Sequence, residues 1–326
     1  MDYVNTLIKA KANPLLFGGK GANLIRLINF GFNVPSGFIV NTNAYKKFLK
    51  DSDLNNEILH LLSQNYKSND VLELSNNIKN LFLKSNIPYE VVNEIRTIFN
   101  KSHDLYGEQT SFSVRSSANI EDSSKFSFAG QAESFLNKVK FEEILEGIKG
   151  CWISLYSPNA LLYILQMRKN HKEFSLIDLD MAVIVQKMLK SQISGVLFTV
   201  NIINNNRNEM FINSTWGLGD TITNNLIIPD MIILKKKKFS VTKCVIGEKE
   251  KTSISNPEGS STILIPTEQA LKEKCSLNKS QLGKLHNLGL MVETCFGFPQ
   301  DIEWAIENNI IFVLQSRPIT TLREKD

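Results

Sequence analysis

Cysteine is scarce in this sequence and is not clustered: Cys151, Cys244, Cys275 and Cys295 are the only four in 326 residues, and none forms a CxxC pair. That excludes a CxxC-type zinc cluster and a disulfide-built scaffold, and it fits a reducing compartment. Charge of one sign is equally short, with a formal net charge of +4. The one dense basic run, Lys235 to Lys238, sits between the apolar segment Met231 to Leu234 and Phe239 and reads as a solvated loop or strand end. Basic residues do not recur elsewhere among aromatics, so nucleic acid is not an expected partner. Long hydrophobic runs are missing as well. The most apolar late stretch, Leu226 to Leu234, is interrupted by Pro229 and Asp230, and the N-terminus carries Asp2 and polar residues without an apolar signal core. Neither a membrane span nor an export signal is expected, and the sequence reads as cytoplasmic. No internal repeat is evident. There is also no P-loop, because Gly18-Gly19-Lys20-Gly21 lacks the GxxxxGK[ST] spacing.

What is present is an ordinary globular composition, 42% hydrophobic and 21% charged, over a length that favours two lobes rather than one. Leu24, Leu27 and Ile28 carry a helical spacing that begins after the Gly-Gly-Lys-Gly segment and stops at Gly31, which puts Lys20 at or near a helix start. Apolar positions between residues 53 and 100 predict several helices on one flank, and helical spacing returns from Phe141 to Met167. Phe112 to Arg115 alternates like a strand and is followed by an aperiodic polar segment to Phe128, read as a loop. Ala182 to Val185 is a short apolar strand ending at Gln186, and a lobe boundary falls there: residues 1–185 form one lobe and 186–326 the other. In the second lobe, Gly195 to Val200, Met210 to Asn213, Met231 to Leu234 and Ile302 to Ile306 read as strands. The asparagine-rich stretch from Asn201 to Asn208 reads as a structurally neutral loop.

Three separated segments supply what a bound triphosphate needs. Lys20, flanked by glycines, can reach phosphate oxygens as a point charge, although the bland alternative is an ordinary loop lysine before a helix. Arg115 stands at the carboxyl end of a strand, where a guanidinium can grip phosphate with paired donors; a structural salt bridge is the competing reading. Ser127, Ala129 and Gly130 make a small, polar stretch able to fold over phosphates as a lid. Gln186 ends its strand where a linker could present an amide to an adenine ring, or else it is a solvent-facing strand end. Near the end, Asp301 and Glu303 alternate with Ile302, Trp304 and Ile306, and Gln315 and Arg317 share one face of the next strand. If these strands form a hairpin, parity puts Glu303 and Gln315 on one side only with an odd loop such as Glu307-Asn308-Asn309, and a two-residue Asn308-Asn309 turn separates them.

The segments Gly18 to Leu24, Asn33 to Phe38, Val114 to Leu136, Ser194 to Thr199, Trp216 to Asp220 and Asp301 to Thr320 together resemble the N-terminal ATP-binding domain of the phosphoenolpyruvate synthase, pyruvate phosphate dikinase and rifampin phosphotransferase family, over nearly the whole chain. The resemblance implies a two-lobed, ATP-grasp-like α/β (α+β) fold that binds ATP and Mg²⁺. It implies Lys20, Arg115 and Arg317 as catalytic phosphate-contacting groups, Glu303 and Gln315 as the magnesium ligands, and Gly130, Gln131 and Ser134 on the loop covering the triphosphate. Gln186 is the adenine-side candidate. Asp220 departs from the glutamate many relatives carry after Gly-Leu-Gly, which leaves its role open. Full-length relatives pass the phosphoryl group to a histidine in a Thr-Ser-His setting on a swivelling domain. His60, His103, His171 and His286 stand in no such setting and read as surface or helix residues. The expected function is therefore the ATP half of a dikinase-type phosphotransferase, with a histidine on a separate swivelling-domain protein and a small molecule as final acceptor. The alternatives are a direct ATP-dependent kinase or ligase and a non-catalytic nucleotide-binding subunit.

Overall fold

The computed structural model describes residues 2–63, 70–119, 133–163 and 179–319. The expected lid stretch from Ser127 to Gln131, the helix beyond residue 163 and His171 lie outside them. The chain divides into two compact units: Met1–Ala22 with Ser36–Met188, and Asn23–Pro35 with Leu189–Asp326. Both mix helices with antiparallel sheet, the α+β arrangement the sequence predicts.

In the first unit a five-stranded sheet runs in the order β1 (Val4–Thr6), β2 (Gly37–Val40), β5 (Met181–Lys187), β3 (Phe112–Ala118), β4 (Ser134–Lys138). Its side chains alternate. Phe112, Val114, Val183, Val185, Phe38 and Val40 face the hydrophobic core built with the helices Thr42–Asp51, Leu54–Ser63, Val71–Lys84, Tyr89–Tyr106 and Phe141–Ser154. Phe48 stacks on Trp152 there, with ring centroids 5.0 Å apart. The opposite face carries Arg115 and Gln186. The helix predicted from Phe141 is broken after Ser154, and helix resumes over residues 158–163. The loop predicted after Arg115 also starts late, because β3 continues through Ser116 and Ser117 to Ala118, paired with β5.

The second unit holds a six-stranded antiparallel sheet: β13 (Ile310–Pro318), β12 (Gln300–Glu307), β6 (Ile193–Phe198), β7 (Glu209–Trp216), β8 (Asp230–Lys235), β9 (Val241–Val245). A separate hairpin joins β10 (Lys251–Ser255) to β11 (Thr262–Pro266). The helix Lys279–Phe296 starts at a reciprocal capping box, in which Asn278 and Gln281 exchange side-chain and backbone bonds of 2.9 Å, and ends at left-handed Gly297. It buries Leu282, Leu285, Gly289 and Val292 against the sheet. His286 also lies on this buried face, its Nε2 2.9 Å from the Lys236 carbonyl, so it is a helix residue but not a surface one. Lys236, inside the basic run, pairs with Glu293 at 2.6 Å. The asparagine stretch is not neutral. Asn201, Asn204 and Asn206 each accept a bond from the backbone two residues on, forming successive Asx turns that fix the loop.

The β12–β13 hairpin corrects the parity argument. Glu307 pairs with Ile310 across a two-residue turn in which Asn308 and Asn309 both take left-handed φ, 51° and 62°. Continued without interruption, that register would set Glu303 opposite Leu314. Instead the ladder shifts between Glu303 and Trp304, Leu314 is the extra residue, and Glu303 pairs directly with Gln315. A bulge thus does what an odd loop was expected to do. Asn309→Val, a β-branched side chain forced to positive φ, is expected to destabilise the hairpin by about 1–2 kcal/mol, read as a lower midpoint in thermal unfolding.

Candidate functional site

In the first unit the group is built on the face of the sheet opposite the core. Arg115 lies opposite Ile184 on β5 and Ser134 on β4, and Ser113 lies opposite Gln186, so Arg115, Ser134 and Gln186 all project to one side. Gln186 is buried, not a solvent-facing strand end. Opposite it is Gly37, whose missing side chain matters: a Cβ there would stand 2.2 Å from the Val185 carbonyl oxygen and 3.1 Å from Gln186 Cγ.

Lys20 reaches the same face through the helix Pro14–Asn29. That helix is broken at Gly18, whose φ of 68° and ψ of 174° are not helical, and helical geometry resumes over Gly19 and Lys20. Lys20 therefore stands in the first turn after a kink, as its spacing predicts. The kink is bolted to the end of β3 by Ser117, whose hydroxyl donates to the Phe17 carbonyl at 2.8 Å and accepts from the Gly21 amide at 3.0 Å. Lys20 itself is buried, and its Nζ donates to the Ser116 carbonyl at 3.2 Å. Ser117 is the residue sequence reasoning passed over. Its signal was only the second serine after Arg115, and its bond partners lie about a hundred positions upstream.

In the second unit Asp301 pairs across the strands with Arg317, and Glu303 with Gln315, so all four share one face of β12 and β13. Arg317 Nε donates to Asp301 Oδ2 at 2.8 Å, and the arginine is the more exposed partner. The residues of this unit that could hold magnesium are thus a carboxylate and an amide oxygen on directly opposed positions, with a second carboxylate engaged by Arg317. Hard oxygen donors few in number suit Mg²⁺, which keeps waters and phosphate oxygens in its shell, so the donor set fits the ion. The frame is rigid: Ser316 Oγ donates to the buried Gln300 side chain at 2.7 Å, and Asn23 Nδ2 donates to the Ser316 carbonyl at 3.1 Å.

Burial pushes the Asp301 carboxyl above its ordinary value, Arg317 pulls it down, and nearby Glu303 pushes it up again. The sign follows directly. A raised folded-state pKa means that acidification protonates Asp301 in the folded protein before the unfolded chain, so this group favours folding at low pH and loses that contribution as pH rises through the folded value. The Asp301–Arg317 pair weakens as pH falls through the same interval. Asp301→Asn is expected to abolish this interval from the pH dependence of nucleotide affinity, checked by titrations at a series of pH values.

Asp220 turns out to be an anchor. It opens the short helix Asp220–Thr223, and its Oδ2 accepts from Ser253 Oγ at 2.9 Å and Thr262 Oγ1 at 3.1 Å, tying the β10–β11 hairpin to the end of β7. Gly130 and Gln131 lie outside the described residues, while Ser134 is exposed at the start of β4. The remaining sequence-predicted residues fall into the two groups above, Lys20, Arg115, Ser134 and Gln186 on one unit and Glu303, Gln315 and Arg317 on the other.

An α+β, ATP-grasp-like fold carrying a lysine and an arginine on one sheet face, and a carboxylate–amide pair beside an arginine on another, is that of a nucleotide-binding phosphotransfer domain. The chain belongs to the family described as pyruvate phosphate dikinase, AMP/ATP-binding domain, which matches residues 15–326. It is 37% identical over 313 residues to a probable phosphoenolpyruvate synthase of Archaeoglobus fulgidus, covering 95% of this chain and 40% of that protein. Against the phosphoenolpyruvate synthase of Pyrococcus furiosus it is 32% identical, over 97% of this chain and 43% of the relative. The rifampicin phosphotransferase of Bacillus cereus is 34% identical over 96% of this chain and 35% of its own length. The chain thus spans less than half the length of these relatives.

Proposed function

We propose that this chain binds Mg-ATP and passes phosphoryl groups from it to a histidine on a separate swivelling domain, which in turn delivers phosphate to a small-molecule acceptor. The observation that carries the reading is the bulged β12–β13 ladder, which sets Glu303 opposite Gln315 and Asp301 opposite Arg317 in a chain of the dikinase AMP/ATP-binding family. The relatives' names, phosphoenolpyruvate synthase and rifampicin phosphotransferase, are consistent with one ATP-using half serving different acceptors.

The roles follow from the chemistry of each group. Magnesium, held by Glu303 and Gln315, would neutralise charge on the phosphates. Lys20, held to the Ser116 carbonyl, offers a positioned ammonium to phosphate oxygens. Arg115 and Arg317 bring planar, paired donors for the charge that spreads over the transferring phosphoryl oxygens. Gln186, buried beside Gly37, would present its amide to the adenine, and Ser134 with Gly130 and Gln131 would belong to the segment covering the triphosphate. Positioning and charge neutralisation do the catalytic work, since phosphoryl transfer asks little covalent chemistry of the protein. Among the described residues no helix is long and apolar enough to cross a membrane. We place the reaction in the cytoplasm.

The test is product analysis. The purified chain is incubated with Mg-ATP, alone and with the histidine-bearing domain of a full-length relative. AMP formed only in the presence of that domain is expected. ADP formed with a small substrate and no histidine domain would favour a direct kinase or ligase, and binding without turnover in every mixture would overturn the catalytic reading.

A further inference from the structure

Two cysteines 31 positions apart in sequence meet on the second unit, although neither their spacing nor their number suggests a pair. Cys244 lies on β9, the edge strand of the six-stranded sheet, where all five residues are exposed. Its cross-strand partner is Ile232 on β8, so its side chain shares a face with Ile232 and with Asp230 two residues before it. On that same face Ser276 is held to β8, its amide and hydroxyl donating to Asp230 Oδ2 at 2.7 and 2.8 Å, while its hydroxyl lies 2.7 Å from that of Ser214 on β7. Cys275 is the residue immediately before Ser276. The strand register and the Ser276 anchor therefore bring the two cysteines to one patch, close enough for Cys244 to push the Cys275 thiol upward. Both are free thiols, Cys244 exposed and Cys275 half-buried.

We propose that Cys244 and Cys275 form a reversible disulfide site whose co-substrate is a low-molecular-weight disulfide. The exposed Cys244 thiolate attacks one sulfur of the small disulfide, forming a mixed disulfide and releasing one thiolate, which takes up a proton. Cys275 then gives its proton to solvent, and its sulfur attacks Cys244 Sγ, expelling the second small thiolate. Two protein thiols are oxidised by two electrons to one disulfide, and one small disulfide is reduced to two small thiols. Burial pushes the Cys275 thiol up to about 11, against a smaller downward pull from the Leu277 backbone, with Asp230 and Cys244 raising it further. Cys275 is thereby the slow, resolving partner and Cys244 the entry point. The bond closes a ring over residues 244–275, which contains Lys249, Ser253 and Thr262, and ties the exposed edge strand to the segment that Asp230 already holds.

The test uses the full chain and oxidised glutathione. The protein is equilibrated across a series of oxidised-to-reduced glutathione ratios, free thiols are blocked, and the products are read by intact mass and peptide mapping. Expected is loss of two hydrogens mapping to a Cys244–Cys275 cross-link, reversed by a reducing agent, with a melting temperature ~5 °C higher for the oxidised form. Cys275→Ser should instead accumulate a mixed disulfide with glutathione at Cys244, and Cys244→Ser should give no cross-link. The proposal is overturned if the wild-type chain carries only mixed disulfides, or remains fully reduced at every ratio, or if its cross-link involves Cys151 or Cys295. The readout is independent of nucleotide turnover.

Discussion

Asp230→Ala is expected to remove about 3–5 kcal/mol of stability from the second unit, the usual cost of stripping one partner from a buried ion pair. Asp230 and Lys249 are both fully buried and form a salt bridge. The carboxylate is fully used. One oxygen accepts from the Gly247 amide at 2.9 Å and from Lys249 Nζ, and the other takes both bonds from Ser276. Lys249 Nζ also donates to the Gly247 carbonyl at 2.9 Å and the Lys272 carbonyl at 3.3 Å. Truncating the aspartate leaves an ammonium without its counterion in a dry site and releases Ser276 and Gly247 together. Lys249→Met with Asp230 intact should cost a similar amount by leaving the carboxylate unpaired, whereas the double change Asp230→Val with Lys249→Met should cost less than the sum of the two, because no buried charge is left over. Urea unfolding followed by fluorescence is suited to this, since Trp216, whose indole donates to the Leu271 carbonyl at 3.0 Å, reports on the same unit.

Gly18→Ala is expected to lower ATP turnover by about 100-fold or more, a loss on the scale of a 1 Å misplacement of a catalytic group. A Cβ at this position would lie 2.0 Å from the Ser117 carbonyl oxygen and 2.3 Å from Ser117 Oγ, and the φ of 68° disfavours any L side chain. Neither the glycine nor β3 can yield without breaking the Ser117 bonds to Phe17 and Gly21, which hold the kink. Lys20 is two residues away, so its ammonium moves with the kink. A purely structural role would lower the melting temperature and leave the activity of the folded fraction intact. The expected result is a folded variant with weakened nucleotide affinity and slowed turnover, measured by calorimetry and product formation after correcting for folded protein.

Much of this was legible in local sequence pattern. Alternation of Asp301 and Glu303 with Ile302 and Trp304 marks a strand with a polar face, and the Leu24, Leu27, Ile28 spacing marks a helix just after Lys20. What the pattern could not carry is register. The parity rule for a hairpin assumes an unbroken ladder, and the Leu314 bulge changes the pairing by one residue without leaving a glycine or other turn residue as a signal. Long-range partners were equally hidden. Asp230 was visible only as a charge interrupting an apolar stretch, and Lys249 had no mark that singled it out from the other lysines. Cys244 and Cys275 likewise meet only because β9 and Ser276 converge on β8. The Asn201 to Asn208 loop was hidden for a simpler reason: composition does not display side-chain to backbone bonding, and asparagine is well suited to repeated Asx turns.

The most direct single measurement is isothermal calorimetry of ATP binding, with and without Mg²⁺, on the wild-type chain and on Glu303→Gln and Lys20→Met. Expected is tight binding that depends on Mg²⁺ in the wild type, loss of that dependence in Glu303→Gln, and weakened affinity in Lys20→Met whether or not Mg²⁺ is present. Affinity for ATP that is unchanged in both variants, or a Mg²⁺ dependence that survives Glu303→Gln intact, would contradict the assignment of Lys20 to the phosphates and Glu303 to the magnesium.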